Sequence, residues 1–186
     1  MPEFTLAERM RTAHVNRWQI VRTARQQTLA EHLYLVRVLT VAFCRAAHLS
    51  EVETQLAEQW ALEHDVPEVK TGDINTPIKD AVRRAVPEGD PIKTIELSMS
   101  SSYADLYNRV KTDWPHLRQI VKLADIVEAI SFITIEGLGA HAREAERGLR
   151  ADYVKLYGTL VSSNDRYTHI WPAINEVVKQ YLDNLE

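Results

Sequence analysis

The sequence contains little cysteine, glycine or proline, and each scarcity limits the structures that the chain can form. Of its 186 residues, one is cysteine, six are glycine and seven are proline. The single cysteine, Cys44, cannot form an intramolecular disulfide, and its apolar neighbours indicate a buried, unreactive thiol in a reducing compartment. Glycine and proline interrupt helices, so their scarcity leaves long segments in which helices can form.

A long apolar run and an excess of positive charge are also absent. The most apolar run, Val38–Cys44, is far shorter than the roughly 20 residues that cross a bilayer. Residues 1–14 carry charges where a signal peptide needs an apolar stretch. The net charge is −4, with 22 basic and 26 acidic side chains interspersed, which is unlike the basic footprint of a nucleic-acid-binding protein. We therefore expect a cytoplasmic protein that engages neither a membrane nor a nucleic-acid polymer.

Apolar residues recur at three- and four-residue spacing through most of the chain, which is typical of amphipathic helices. Two helix starts are marked by capping boxes, in which a Ser or Thr and a Glu three residues later satisfy free backbone N–H groups. The first, Thr28–Glu31, predicts a helix to about Ala47, and the second, Ser50–Glu53, predicts a helix that reaches His64. Pro67 should end or kink the second helix.

The rest of the chain also favours helices and contains no strand pattern, repeat or linker. The charged residues 143–150 are interpreted as an exposed turn or face between two of these helices. The sequence therefore predicts an all-α fold, with residues 1–186 forming one compact domain. The further predicted helices cover about residues 77–85, 92–109, 115–136, 147–162 and 169–184.

Two histidines and two aspartates form a candidate metal site. His64 and Asp65 lie together at one predicted helix end, His32 lies near the start of another helix, and Asp125 lies in a third. An ionised carboxylate inside an apolar helix is unfavourable unless it is paired or bound to a metal, although Asp125 could also face solvent. Side chains from separate helices can converge on one cation, and this ligand set suits Mn, Co, Ni, Fe or Zn. For His64 alone, a helix C-cap is the simpler interpretation.

Glu68 and Asp73 follow the His-Asp pair and add acidic groups for proton transfer or water positioning. Glu68 is our first candidate for a general acid or base, and an exposed loop glutamate is the alternative. A divalent cation in such a site lowers the pKa of a bound water and polarises a phosphoryl oxygen. No glycine-rich phosphate-binding loop is present.

The extended pattern around the His-Asp pair resembles the HD-domain phosphohydrolases. Residues 64–79 read His-Asp-x-Pro-Glu-x-x-x-Gly-Asp-Ile-x-Thr-Pro-x-Lys. Two upstream runs complete the pattern: Asn16-Arg17-Trp18 and Ala30-Glu31-His32. Within that superfamily the chain is similar to the YfbR-like 5′-deoxynucleotidases and their phage relatives, from about residue 12 to about residue 135.

The resemblance implies a role for each matching residue. Glu68 would assist the attacking water, and Asp73 would support the water or the leaving group. The implied metal ligands are His32, His64, Asp65 and Asp125, and the implied substrate contacts are Arg17, Trp18, Lys79 and Lys122. A divalent metal (Co, Mn, Zn, Ni, Fe or Mg), a deoxynucleotide substrate and a homo-oligomer, dimeric or larger, are also implied.

The substrate residues have physical support as well as ordinary alternatives. The planar guanidinium of Arg17 can bind phosphate oxygens, and Trp18 can stack on a base or close over deoxyribose. Arg17 could instead form a surface salt bridge, Trp18 could anchor the core, and both lysines could be surface residues. Lys122 lies three residues before Asp125, so on one helix both can face the same pocket. The remaining tryptophans are interpreted as packing residues: Trp60, Trp114 and Trp171.

These observations predict a metal-dependent phosphohydrolase that acts on deoxyribonucleoside phosphates. The leading hypothesis is a 5′-deoxynucleotidase, which converts a dNMP to a deoxynucleoside and phosphate. The alternative keeps the same site and releases triphosphate from dATP, as some phage relatives do. A non-catalytic helical protein that binds a nucleotide or a partner through the same site is a third hypothesis.

Overall fold

The computed structural model describes residues 2–163 and 165–185, most of which are helical. Two isolated β-bridges, Asn16 with Thr28 and Thr23 with Gly137, occur in these residues, but no strand does. The prediction of an all-α fold is confirmed. Short 3₁₀ turns occur at Arg11–Ala13 and Thr168–Ile170. The α-helices are α1 Leu6–Met10, α2 Leu29–Ala46, α3 Glu51–Glu63, α4 Glu68–Thr71, α5 Thr76–Ala85, α6 Pro91–Ser98, α7 Ser101–Thr112, α8 Pro115–Glu136, α9 Gly139–Ser162 and α10 Trp171–Asp183.

The two helix starts with predicted capping boxes lie where the sequence indicates. Ser50 and Glu53 form the complete reciprocal box at the start of α3. At α2, Thr28 accepts a hydrogen bond from the backbone N–H of Glu31, but the Glu31 carboxylate pairs with Arg25. Only half of the predicted box therefore forms at α2, because a basic side chain from the preceding loop competes for the carboxylate.

The helical pattern predicted over 92–109 is divided between α6 and α7. The division falls at Met99 and Ser100, and the Ser100 hydroxyl accepts a hydrogen bond from the backbone N–H of Tyr103. A serine at this position stabilises a new helix start as an N-cap. The predicted helical periodicity holds on both sides of the break. No glycine or proline marks the break in the sequence, so it was not predicted.

The helix predicted from residue 147 begins eight residues earlier, at Gly139. Gly139 has a φ of +83°, a left-handed conformation that glycine adopts without strain and that reverses the chain directly after α8. The charged residues 143–150 therefore lie on α9, and of the two interpretations the exposed face is correct. Contacts of α9 with α8 stabilise the helix despite Gly148 and Gly158 within it.

The core is built around α8, which packs against α2, α3, α7 and α9. A contiguous cluster of buried side chains extends from Phe4 to Val178. Trp60 and Trp171 are buried in it and Trp114 packs against it, as predicted. Cys44 is fully buried, and burial raises the pKa of its thiol to about 12, in keeping with the predicted unreactive thiol. Among the described helices, none has the length and apolar character needed to span a membrane.

Candidate active site

The four predicted metal ligands converge from three helices. His32 lies in the first turn of α2, His64 and Asp65 follow the last turn of α3, and Asp125 lies in the middle of α8. The His32 Nε2 atom is 3.4 Å from Asp125 Oδ1 and 3.7 Å from Asp65 Oδ2. The His64 Nε2 atom is 3.4 Å from Asp65 Oδ2. The contacts of α2 with α3 and α8 therefore bring together residues that are up to 93 positions apart (125 − 32).

Asp65 lies at the edge of this cluster. Ligand atoms of His32, His64 and Asp125 all lie within 4.8 Å of one another, and Asp65 is outside this mutually close set. The Oδ2 atom of Asp65 also has Arg17 Nη1 at 3.4 Å, so it lies between the histidines and a guanidinium. Three of the predicted ligands thus form a tight group, with the fourth within reach of both imidazoles.

The two histidines have the hydrogen bonds that a metal ligand needs. Nδ1 of His64 lies 2.8 Å from the backbone oxygen of Ala61, and Nδ1 of His32 lies 2.6 Å from the carboxylate of Glu128. Both acceptors require an Nδ1–H donor, so Nε2 is the ring nitrogen through which each histidine can bind a cation once that nitrogen carries no proton. Both Nε2 atoms are buried and lack a hydrogen-bond partner among the described residues. Two such nitrogens beside two carboxylates fit a divalent cation.

The pKa values of the proposed ligands indicate which of them are charged before a cation binds. Burial lowers the pKa of His64 and favours its neutral form. Burial and Arg17 lower the pKa of His32, but Asp125 and Glu128 outweigh them and raise it to about 9. Burial raises the pKa of Asp125, but Lys122 and the two histidines hold it well below its usual range, so this carboxylate is ionised. Cation binding should therefore release a proton from His32.

Removing divalent metal should lower the thermal stability of the protein. A bound cation offsets the repulsion between Asp65 and Asp125 and satisfies both Nε2 atoms, and the unfolded chain has no such site. Metal at 100 times its dissociation constant contributes about 2.7 kcal/mol, or about 5–10 °C in Tm for a chain of this size. Thermal melts before and after chelation, with metal added back, measure the shift. Equal Tm values together with no metal in elemental analysis would contradict this prediction.

Glu68 is buried and not an exposed loop residue, with 2% of its surface accessible. It begins α4 directly after Pro67, and its N–H donates to the backbone oxygen of Asp65. Lys79 Nζ lies 3.3 Å from one carboxylate oxygen, and the other has no partner among the described residues. Burial and repulsion by Asp65 raise the pKa of Glu68 to about 8, against the opposing effect of Lys79 and Arg17. A carboxyl that titrates near neutrality suits proton transfer.

The raised pKa of Glu68 predicts a pH-dependent effect of Glu68→Gln on stability. In the unfolded chain Glu68 loses its proton near pH 4.5, but in the folded chain only near pH 8. Between these values the unfolded state binds fewer protons, so wild-type stability falls as the pH rises, and the loss is complete above pH 8. Glutamine has no charge to bury. In chelator-treated protein the Tm of Glu68→Gln should exceed wild type by about 10 °C at pH 9 and lie close to it at pH 4.5. A pH-independent difference between the two melting curves would contradict this.

The predicted substrate residues surround the same site. The Arg17 side chain is 12% exposed, and its ion pair with Asp65 is partly buried. The pair therefore differs from the surface salt bridge that was the alternative. Trp18 is half-buried and stacks on Phe132, with ring centroids 5.8 Å apart. Its φ of +62° is unusual for a residue with a side chain, a strained conformation that is common at functional sites. Both residues line a cavity of about 780 Å³ that also reaches Glu68.

The two lysines and Asp73 lie around the carboxylates. Lys122 Nζ is 2.8 Å from Asp125 Oδ2, as the three-residue spacing predicts, although its side chain is 57% exposed. Lys79 is mostly buried beside Glu68. Burial lowers the pKa of Lys79, but Asp65, Glu68 and Asp73 outweigh it and raise the pKa. Asp73 follows Gly72, whose φ of +73° turns the chain after α4.

Two buried residues of the site were not predicted from the sequence. Gln27 is fully buried and Glu128 is 3% exposed, and both are hydrogen-bonded next to His32. Glu128 lies three residues after Asp125 on the same apolar helix. The unfavourable burial of an unpaired charge, which identified Asp125, could therefore have identified Glu128 as well. Gln27 gave no comparable signal, because a glutamine before a helix cap is unremarkable.

Comparisons with known proteins identify the family of the chain. A family model described as 5′-deoxynucleotidase YfbR-like matches residues 4–144. The chain belongs to the YfbR-like family. A dATP triphosphohydrolase of Cyanophage S-2L is 34% identical over 75% of each chain. One of Salmonella phage PMBT28 is 33% identical over 95% of this chain and 91% of the relative.

A solved structure is similar to this protein over almost the whole chain. It is the Cyanophage S-2L HD phosphohydrolase bound to dA and one catalytic Zn²⁺ ion, with a TM-score of 0.82, 27% identity and 99% coverage of both chains. The predictions of family, fold and enzyme class are confirmed. The chain is a metal-dependent phosphohydrolase of deoxyribonucleoside phosphates that uses a divalent cation.

Proposed function

We propose that the chain hydrolyses dATP to deoxyadenosine and triphosphate. The observation that carries this proposal is the relative from Salmonella phage PMBT28, a dATP triphosphohydrolase that aligns over 95% of the chain. The dATP triphosphohydrolases of two further phages also match. The cavity of about 780 Å³ is within the usual range for small-molecule sites and has room for a nucleotide.

In the proposed reaction, water attacks the α-phosphorus and the bond to the 5′-oxygen breaks. The Glu68 carboxylate accepts a proton from the attacking water. The departing 5′-oxygen, supported by Asp73, takes a proton from solvent, to which Glu68 later returns the proton that it accepted. The phosphate oxygens bind to Arg17, Lys79 and Lys122. A divalent cation bound by His32, His64, Asp65 and Asp125 supplies charge stabilisation and lowers the pKa of water. In-line attack requires positioned charge and no covalent nucleophile.

A 5′-deoxynucleotidase is the second candidate, favoured by the description of the matching family model. Attack on the phosphorus of a dNMP breaks the same type of bond to the 5′-oxygen, so one arrangement of residues serves both reactions. The two candidates differ in how many phosphates the site accommodates beyond the reacting one. Arg17, Lys79 and Lys122 offer charge for either substrate.

Product analysis distinguishes the two candidates. Purified protein is incubated with dATP, dAMP, ATP and dGTP in the presence of Zn, Mn, Co, Ni, Fe or Mg. We expect deoxyadenosine and triphosphate from dATP, separated by phosphorus NMR and chromatography. A higher kcat/KM for dAMP, with orthophosphate released, would establish the 5′-deoxynucleotidase instead. Release of pyrophosphate from dATP would contradict both candidates.

We also propose that residues 1–186 form one HD-type domain and that this domain assembles into a homo-oligomer. The proposed location is the cytoplasm, which is that of the host if a phage encodes the chain. Exposed apolar side chains support the assembly. Val154 on α9 is 66% exposed, and Ile135 and Leu138, where α8 passes into α9, are 61% and 39% exposed. Light scattering after size exclusion should give the mass of a dimer or larger. A monomer at concentrations of tens of micromolar would contradict the assembly.

A further inference from the structure

A chain of three hydrogen bonds connects Trp18, which lines the cavity, to His32 of the candidate metal site. The indole Nε1–H of Trp18 donates to Gln27 Oε1 at 2.9 Å. The amide Nε2–H of Gln27 donates to Glu128 Oε1 at 2.5 Å. The other oxygen of Glu128 accepts from His32 Nδ1 at 2.6 Å. Gln27 and His32 are fully buried and Glu128 is 3% exposed, so water does not compete for the two bonds that Glu128 accepts.

The direction of the donors explains why these residue types are needed. An indole N–H can only donate and an ionised carboxylate can only accept, so the residue between them must offer an acceptor on one side and a donor on the other. The carboxamide of Gln27 does both in one orientation. Glu128 then receives N–H groups on both of its oxygens. The His32 imidazole is thereby oriented with its Nε2 atom towards the other proposed metal ligands.

We propose that Glu128 and Gln27 are positioning residues with separable tasks. Glu128 orients His32 for the cation, and Gln27 holds the ring of Trp18 for the nucleoside. The first task rests on the proposed metal ligands and the second on the proposed substrate role of Trp18. Neither residue touches the reacting atoms. The metal site and the nucleoside cleft are therefore parts of one hydrogen-bonded unit.

The role of Glu128 predicts a change in metal affinity. Glu128→Gln replaces the charged acceptor of His32 with a neutral amide, and loss of such a partner typically weakens metal binding about 10–100-fold. Competition with a chromophoric chelator measures the zinc affinity without any turnover. Excess metal should restore most of the kcat of this variant. If Glu128→Gln does not fold, Glu128→Asp, which keeps the charge but withdraws it, should show the same weakening to a smaller degree.

A second His–Glu pair, in which the histidine is buried and the glutamate partly exposed, provides the control. Glu53 lies 3.0 Å from Nε2 of His116, a buried histidine away from the metal cluster. Glu53→Gln also removes a carboxylate from a histidine and weakens a helix cap, so it should lower Tm. Its zinc affinity should equal that of wild type. A fall in zinc affinity in Glu53→Gln as large as in Glu128→Gln would mean that the effect is only structural, and would overturn the proposal.

The role of Gln27 predicts a different kinetic signature. Gln27→Met keeps the length of the side chain but leaves the Trp18 indole N–H without an acceptor. We expect KM for the deoxynucleotide to rise about 5–10-fold with kcat within twofold, because an interaction present in both ground and transition states is lost. Deoxyadenosine should bind the zinc-loaded variant correspondingly more weakly in calorimetry, while zinc affinity stays within twofold. The exposed Gln55→Met serves as the control and should match wild type.

The outcomes separate this inference from the proposed function. Wild-type zinc affinity in folded Glu128→Gln, or wild-type KM and deoxyadenosine binding in Gln27→Met, would overturn the corresponding half of the proposal. If the wild-type protein hydrolyses no deoxynucleotide, the proposed function fails. The comparisons of zinc and deoxyadenosine binding still decide the inference in that case, because they need no turnover.

Discussion

Replacing His64 or Asp65 with alanine should reduce kcat/KM on the order of 10³-fold or more, which corresponds to about 4 kcal/mol of transition-state stabilisation. Each substitution removes one of the four side chains around the proposed cation. His64 follows the end of α3 and Asp65 is partly exposed, so the core can keep its packing. His32 is a poorer choice, because it is fully buried and its loss would leave one buried oxygen of Glu128 without a donor. Steady-state kinetics measure kcat/KM, elemental analysis measures the metal content, and circular dichroism checks that the helical fold is retained.

Two exposed residues of the same types provide controls for these variants. His141 lies on α9 and Asp105 on α7, both at the surface. Alanine at either position should leave kcat/KM within about twofold of wild type, since surface substitutions away from special features change little. Near-normal turnover in His64→Ala or Asp65→Ala would show that the ligands are assigned wrongly.

Glu68→Gln should lower kcat by about 10²–10⁴-fold while the protein retains its metal. Glutamine keeps the shape of the side chain and cannot accept a proton from water. A loss of activity with the metal retained would distinguish Glu68→Gln from the His64 and Asp65 variants, in which metal content and activity should fall together. Elemental analysis and kcat on the same preparation distinguish the two cases.

The exposed Glu88→Gln is the control for this substitution and should behave as wild type. A kcat for Glu68→Gln within tenfold of wild type would remove Glu68 from the proton transfer. Loss of metal in this variant would instead assign Glu68 to the cation site.

Most of the proposed metal ligands carry a local signal in the sequence. His64 and Asp65 stand at a helix end marked by Pro67, and Asp125 interrupts an apolar pattern. The capping boxes locate α2 and α3 and so assign His32, His64 and Asp65 to helix ends. The apolar pattern assigns Asp125 to a third helix. Their convergence depends on the contacts of α2 with α3 and α8, which periodicity does not reveal. The structure supplies this part.

Residues that act through long-range contacts could not be predicted in this way. Arg25 takes the Glu31 carboxylate that a complete capping box needs, and it also reaches Glu136 at the far end of α8. Gln27 and Glu128 are 101 positions apart and share a hydrogen bond that neither local sequence indicates. Such contacts are tertiary, and they override or add to the local preferences from which helices and caps are predicted.

Anomalous diffraction from a metal-loaded crystal tests the central claim most directly. Data collected at the absorption edge of zinc should show one peak at about 2.0–2.2 Å from Nε2 of His32 and His64 and from carboxylate oxygens of Asp65 and Asp125. A peak at another place in the molecule, or a peak that contacts only one of the three helices α2, α3 and α8, would contradict the account.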